Sequence, residues 1–208
     1  MTARLLPAAA PGALTEAVRL LRADELLAIP TETVYGLAVL PREAPLARLL
    51  EAKRRSPDKG IQLLVDSLEQ VYGLADLPPT AERLAQRFWP GPLTLVLELL
   101  SASRLPELLT GGRPTVGVRL PDHEVPRSLA RLLGPLAASS ANVSGEAPAT
   151  TAQAVFDSLA GEVALILDDG PVRGGVASSV VACPADGTPP IILREGALSR
   201  QDLLAAAG

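Results

Sequence analysis

The sequence predicts an α/β protein, a sheet with helices packed on it. Helix-spaced and strand-like segments alternate along the 208 residues, and the strand-like runs are short and apolar. The 20 prolines and 17 glycines are spread as turn signals between segments rather than massed in a linker.

Taken in order, Leu14, Val18 and Leu21 recur at helical spacing after Pro11-Gly12, and a run at 26–29 stops at Pro30. Leu46, Leu49, Leu50 and Lys53 mark a second helix, followed by a strand at 61–65. A helix at 80–88 precedes strands at 93–99 and 116–120, and a helix follows at 125–133. Strands at 136–140, 163–167, 178–182 and 191–193 complete the sheet, with helices at 151–159 and 199–206. The length suits one domain over 1–208, and the alternation leaves strand order open.

Composition excludes several classes. With 48% apolar residues but only 2% aromatic, the core is built from Leu, Val, Ile and Ala. A net charge of −4 argues against general nucleic-acid binding, so any RNA contact is local. The single Cys183 excludes an internal disulfide and fits a reducing compartment. No apolar run approaches the ~20 residues of a membrane helix and 1–11 does not read as a secretory signal, so a cytoplasmic location is expected.

The single His123 and single Cys183 do not supply a His/Cys zinc site, and they argue against a Ser-His or Cys-His nucleophile. After Pro121-Asp122, His123 reads as a surface-loop residue. Neither a G-x-x-x-x-G-K-[ST] loop nor a G-x-G-x-x-G fingerprint is present. The S-x-x-K at Ser56–Lys59 lacks the companion elements of penicillin-binding enzymes, and Asn142-Val143-Ser144 without a secretory context is a chance glycosylation match.

Positive signals begin with the lysines. Both lysines of the protein, Lys53 and Lys59, fall in Lys53-Arg54-Arg55-Ser56-Pro57-Asp58-Lys59-Gly60, beside seventeen arginines elsewhere and here. Four cations in seven residues suit either a capped helix end or a polyphosphate clamp. Pro30-Thr31-Glu32-Thr33-Val34-Tyr35-Gly36-Leu37 places two hydroxyls, a carboxylate and a phenol just past a strand, where open α/β sheets commonly bind ligands. Ala138 to Gly145 is small and hydroxyl-rich, so backbone amides there can approach phosphate or ribose oxygens. Gly174 to Val181 and Ile192-Leu193-Arg194-Glu195-Gly196 add two weaker segments.

In this order the segments resemble the threonylcarbamoyl-AMP synthase family with its YrdC-like fold. The shared pattern is P-T-E-T-V-Y-G-L at 30–37, K-x-R…D-K-G at 53–60, W-P-G-P-L-T at 89–94 and G-V-R-L-P at 117–121. It continues through S-S-A-N-x-S-G at 139–145, S-S-V-V at 178–181 and I-L-R-x-G at 192–196, spanning about 12–200. Family members often have proline directly after the Arg of K-x-R, where this chain has Ser56 with Pro57 next, which places the role of Lys59 in question. Members with a further C-terminal domain often have histidine where this chain has Leu64, and the short run after Arg194 is expected to be the short form.

The resemblance implies a twisted open mixed sheet flanked by helices, with a large concave, positively charged pocket. It implies that L-threonine, bicarbonate and ATP, with Mg2+, become threonylcarbamoyl-AMP, pyrophosphate and water, a nucleotidyltransferase reaction that precedes tRNA modification. Carried over by position, Lys53 and Arg55 are catalytic, and Arg55, Lys59, Thr115, Ser140, Asn142 and Arg194 bind ATP. Thr33, Arg119 and Ser178 bind L-threonine, and no protein-held metal is expected. A downstream tRNA threonylcarbamoyl-transferase complex is the expected partner, with local tRNA contact and no membrane. Two alternatives stay open: an RNA-binding module without catalysis, and a carbamoyl-transfer domain related to hydrogenase maturation factors.

Overall fold

The computed structural model describes residues 3–208. Its elements are β1 (Arg4–Pro7), α1 (Ala13–Arg22), β2 (Leu27–Ile29), β3 (Gly36–Val39), α2 (Glu43–Ala52) and β4 (Gln62–Leu64). Next come α3 (Leu68–Tyr72), α4 (Pro79–Phe88), β5 (Leu93–Glu98), α5 (Glu107–Thr110), β6 (Thr115–Arg119) and α6 (Glu124–Leu133). The chain closes with β7 (Leu136–Ser140), α7 (Ala152–Leu159), β8 (Leu165–Asp168), β9 (Ser179–Ala182), β10 (Ile191–Arg194) and α8 (Arg200–Ala207).

All ten strands of the described residues join one mixed sheet, ordered β1-β8-β2-β3-β7-β4-β6-β5-β9-β10. The pairs β1/β8, β2/β8, β4/β6 and β5/β9 are parallel, and the rest are antiparallel. Every helix expected from periodicity is present within a few residues. Local chemistry explains several starts: Pro79 opens α4, while Thr151 and Ser199 accept from the backbone N–H groups of Ala154 and Asp202.

Two strands escape the sequence patterns. β1 is an edge strand, mostly exposed, and its Leu5-Leu6 pair runs into Pro7 and three alanines, which do not read as a strand. β3 is central and buried at all four residues, so it shows no alternation, and it extends what reads from sequence as a loop after Pro30.

Coverage by helices is unequal, and that inequality makes the site. Because side chains alternate along a strand, register assigns faces. One face of the β8-β2-β3-β7-β4 half carries Leu27, Ile29, Ala38, Leu64, Leu136 and Leu165, packed under Ala13, Ala17 and Leu21 of α1 and Leu129 of α6. The opposite face, from Ala28 and Leu63 through Leu95, Val118 and Val181, is buried in the larger core with α2, α4 and α7. On the first face the α1–α6 cover ends near Leu64 and Leu136. Two residues further along the same strands, Gln62 and its partner Ala138 border an open cavity, Ala138 still touching the apolar cluster under the helices.

Candidate functional site

That open half-face is the floor of a cavity of ≈ 830 Å³. Its floor residues alternate along four strands: Thr94 and Val96, Thr115, Gly117 and Arg119, Ala138 and Ser140, Val180 and Ala182. Gly117 keeps this floor flat, since a Cβ there would meet Thr94 Cγ2 at 3.4 Å and Gln62 Cβ at 3.5 Å. The site therefore lies across a sheet face, not beyond strand carboxyl ends as the sequence pattern implies. The cause is the antiparallel pairing of β7 with β3 and β4, and of β5 with β6, which leaves no common carboxyl edge.

Five cationic side chains line the cavity, Arg55, Lys59, Arg113, Arg119 and Arg194, and no carboxylate does. Ser140, Ser178 and Thr115 share its wall, so seven of the residues singled out from sequence meet here.

Arg119 is 3% exposed and held from three sides. Its Nε donates to Gly91 O at 3.1 Å, Nη2 donates to Thr33 Oγ1 at 3.0 Å, and Nη2 lies 2.7 Å from Glu32 Oε1. That last contact is an ion pair out of line for a hydrogen bond, and neither Glu32 oxygen accepts one. Arg194 clamps the next strand, donating through Nε at 3.1 Å and Nη2 at 2.7 Å to Ser178 O. Gly196 permits this approach, because a Cβ there would sit 2.3 Å from Ala177 O. Thr94 Oγ1 donates to Gln62 Oε1 at 2.7 Å, so the Ser178 hydroxyl, 2.9 Å from Thr94 Oγ1, is the donor in that pair. Burial lowers the pKa of Arg194, and the positive charges of Arg55 and Arg119 lower it further.

The lysine–arginine cluster divides. Arg54 adopts φ 49°, a left-handed conformation disfavoured for a side-chain-bearing residue, and this reverses the chain after α2. On one side of the reversal Arg55 faces the cavity, with Nη2 donating to Gly60 O at 3.0 Å. On the other, Lys53 turns inward and is 2% exposed. Its Nζ donates to Ser140 O, to Asn142 O at 2.7 Å and to Asn142 Oδ1 at 3.5 Å, and its own carbonyl accepts from Ser144 N at 2.8 Å.

Three residues expected to touch substrates thus lie behind the wall. Lys53 has its ammonium enclosed by carbonyl-type oxygens of the loop after β7. Asn142 donates its amide to Val143 O and Glu146 O, at 2.8 and 2.9 Å, which shapes the same loop. Thr33 accepts from Arg119 and, because Thr31 donates to Val34 O at 2.6 Å, gives its own proton to Thr31 Oγ1.

Two other expectations change. The Tyr35 phenol does not enter the loop site; it is buried, donates to Gly170 O at 2.8 Å, and is pushed up to about 12, chiefly by burial. His123 is not a free loop residue but the N-cap of α6, its Nδ1 accepting from Val125 N at 3.2 Å and its Nε2 3.3 Å from Asp169 Oδ2. It lines a second cavity of ≈ 660 Å³ with Glu32, Arg127 and Asp169. Cys183 is buried and its thiol is pushed up to about 11 by that burial, which disfavours a thiolate nucleophile.

Sequence reasoning passed over Gln62, Thr94, Arg113 and Glu32 as individual site residues. Glu32 had a signal, as the one acid inside a motif of neutral residues, and Thr94 had one as the last residue of W-P-G-P-L-T; Gln62 is an ordinary strand residue until the face it occupies is known.

Burial, with a smaller push from Arg55, lowers Lys53 from 10.5 to about 8. Below about 8 the lysine is charged in both folded and unfolded chains, and its desolvation acts fully against folding. As pH rises from about 8 toward 10.5 the folded chain loses the proton first, so this opposition is relieved. The urea midpoint of the wild type relative to Lys53→Met is expected to rise across that interval. A pH-independent difference would show that the ammonium is not desolvated.

The fold and site together define an α/β protein with an open sheet face that carries a cavity lined by five cations and no carboxylate. The Sua5/yciO/yrdC family model, described as "Telomere recombination", matches residues 19–196, and the chain belongs to that family. It is 42% identical to the threonylcarbamoyl-AMP synthase of Pyrococcus abyssi over 88% of this chain and 54% of that protein. It is 38% identical to the Bacillus subtilis threonylcarbamoyl-AMP synthase, over 94% of this chain and 56% of the relative. The chain thus spans little more than half the length of these two relatives. The crystal structure of P. abyssi Sua5 complexed with L-threonine superposes with a TM-score of 0.88 at 40% identity, over 94% of this chain and 57% of that one.

Among the described residues, no helix is long and apolar enough to cross a membrane.

Proposed function

We propose that this cavity binds ATP and L-threonine and, with bicarbonate, forms threonylcarbamoyl-AMP, pyrophosphate and water. The observation that carries the reading is the gathering of five cations without a lining carboxylate on one sheet face. Support comes from the relatives named as synthases and from the threonine complex of the P. abyssi protein.

In this reading bicarbonate takes up a proton and loses water to give CO2, and the threonine amine attacks that carbon and releases a proton, leaving a carbamate. A carbamate oxygen then attacks the α-phosphorus of ATP, the bond to the bridging oxygen breaks, and pyrophosphate leaves. Charge builds on phosphoryl oxygens throughout, so preorganised cations and positioning supply the catalysis. Arg119 takes the threonine carboxylate, Thr33 and Glu32 hold Arg119, and Ser178, on the wall of the same cavity, also contacts threonine. Arg55, Lys59, Thr115, Ser140 and Arg194 hold the nucleotide, while Lys53 and Asn142 position the Ser139–Asn142 loop. With no carboxylate on the wall, Mg2+ is best accommodated on the phosphates of ATP and enters as part of the substrate. The labile product passes to a downstream tRNA threonylcarbamoyl-transferase complex in the cytoplasm, and any tRNA contact of this acidic chain is local.

The test is pyrophosphate release from MgATP, with bicarbonate and amino acid supplied or omitted. Release is expected to require both, and serine to substitute partially, since one methyl is worth about 1–3 kcal/mol in an apolar pocket. Equal release without any amino acid would make the protein a simple ATPase.

A further inference from the structure

Of the five cations in the main cavity, three are already anchored: Arg119 by Gly91, Thr33 and Glu32, Arg55 by Lys59 O and Gly60 O, and Arg194 by Ser178. Lys59 and Arg113 differ. Among the described residues neither side chain makes a hydrogen bond or an ion pair, although both line the cavity. They stand on two turns that touch through their backbones. Ile61 N donates to Leu109 O at 2.7 Å, and a Cβ on Gly111 would lie 2.5 Å from Asp58 O. Gly111 and Gly112 both take positive φ, 64° and 74°, which lets the chain reverse against the lysine turn and sets Arg113 beside it. Pro114 then restricts the Arg113 backbone to extended conformations, so a free guanidinium springs from a fixed base.

Two acids lie nearby without forming an ion pair to Lys59 or Arg113: Asp58, which feels the charge of both, and Glu107, whose Oε1 would lie 3.4 Å from a Cβ on Gly112. Asp58 receives a hydrogen bond from Ser56, which is the chief cause of its lowered pKa, with lesser contributions from Lys59 and Arg113. A rim cation that merely solvates the surface has no need of a neighbouring like charge, nor of two left-handed glycines to bring it there. Two cations without a hydrogen-bond or ion-pair partner, on adjoining turns at the mouth of a cationic cavity, suit a ligand with several negative charges.

We propose that Arg113 is a further ligand-binding residue, which together with Lys59 grips phosphoryl oxygens of the nucleotide and of the pyrophosphate it releases. This rests on the nucleotide reading of the cavity. Arg113 binds as a planar fork where Lys59 supplies a point charge, and because it is not pre-anchored it closes on the phosphates when they arrive.

Calorimetric titrations of sodium pyrophosphate, MgATP and adenosine into wild type, Arg113→Ala, Arg113→Lys and the control Arg22→Ala test the assignment. Arg113→Ala is expected to weaken pyrophosphate and MgATP by about tenfold or more, the scale of one charge-assisted contact, with adenosine affinity and thermal midpoint unchanged. Arg113→Lys should recover part of the loss, and Arg22→Ala, which removes the same charge on α1, should lose less than threefold. Wild-type affinities in Arg113→Ala would make it a solvated rim charge and overturn the proposal. Loss of adenosine binding alongside the rest would overturn the phosphoryl assignment. If the wild type binds neither pyrophosphate nor MgATP, the nucleotide reading itself falls and takes this inference with it.

Discussion

Arg119→Ala is expected to lower threonine-dependent pyrophosphate release by about a hundredfold or more, the scale of losing one preorganised charged contact. It is also expected to destabilise the fold by about 3–5 kcal/mol, because it strands a buried carboxylate. Glu32 has only 15% of its side chain exposed, and Arg119 is its one ion-pair partner among the described residues. The two losses have separate causes, and a double variant separates them. Glu32→Gln/Arg119→Met removes both charges and keeps the side-chain bulk, so most of the stability should return while activity stays low. Chemical denaturation and pyrophosphate release, measured on the single and double variants, check this. If the double variant recovers activity with stability, Arg119 is a structural ion pair and threonine binds elsewhere.

The sequence reveals the sheet's components better than its architecture. Helices such as α4 and α6 carry one apolar stripe, Ala81 and Leu84 or Leu129 and Ala130, and are visible from periodicity alone. β3 is missed because its apolar run, 34–40, continues directly from the polar residues after Pro30 and reads as part of their loop, yet it is the strand that pairs with β7 and so brings the Thr31–Tyr35 loop against the Ser139–Asn142 loop. The ordered motifs locate most cavity residues, since Arg55, Arg119, Ser140, Ser178 and Arg194 all sit at motif positions and all reach the cavity. Motifs do not reveal depth. Lys53 and Arg55 are two residues apart and read as equivalent cations, but a left-handed Arg54 between them sends one into the protein and the other into the cavity. No glycine or asparagine marks that conformation in the sequence; it is held by local helix-ending bonds, Arg54 N to Glu51 O and Arg55 N to Leu50 O, both at 2.9 Å, with the contacts of Lys53 to the loop after β7 added to them.

That divergence separates Lys53→Ala from Arg55→Ala. Each is expected to reduce threonylcarbamoyl-AMP formation by about a hundredfold. Lys53→Ala should do so by releasing the Ser140 and Asn142 carbonyls; Ser140 O keeps the bond from Asn142 N, but Asn142 O is left without its donor, at about 1–3 kcal/mol. Its thermal midpoint should fall, and amide exchange across Ser139–Ser144 should accelerate, since Ser144 N donates to the Lys53 carbonyl at the foot of the same loop. Lys53→Arg should not rescue it. A planar guanidinium does not reproduce the compact ammonium that Ser140 O, Asn142 O and Asn142 Oδ1 surround. Arg55→Ala gives up a cavity contact and two bonds to its own turn, at Lys59 O and Gly60 O, so activity should fall while loop exchange stays near the wild-type value. Hydrogen exchange and steady-state synthesis on the same preparations read both effects together. If Lys53→Ala abolishes synthesis with the loop as protected as in the wild type, the lysine acts on the substrates directly and the positioning role assigned to it is wrong.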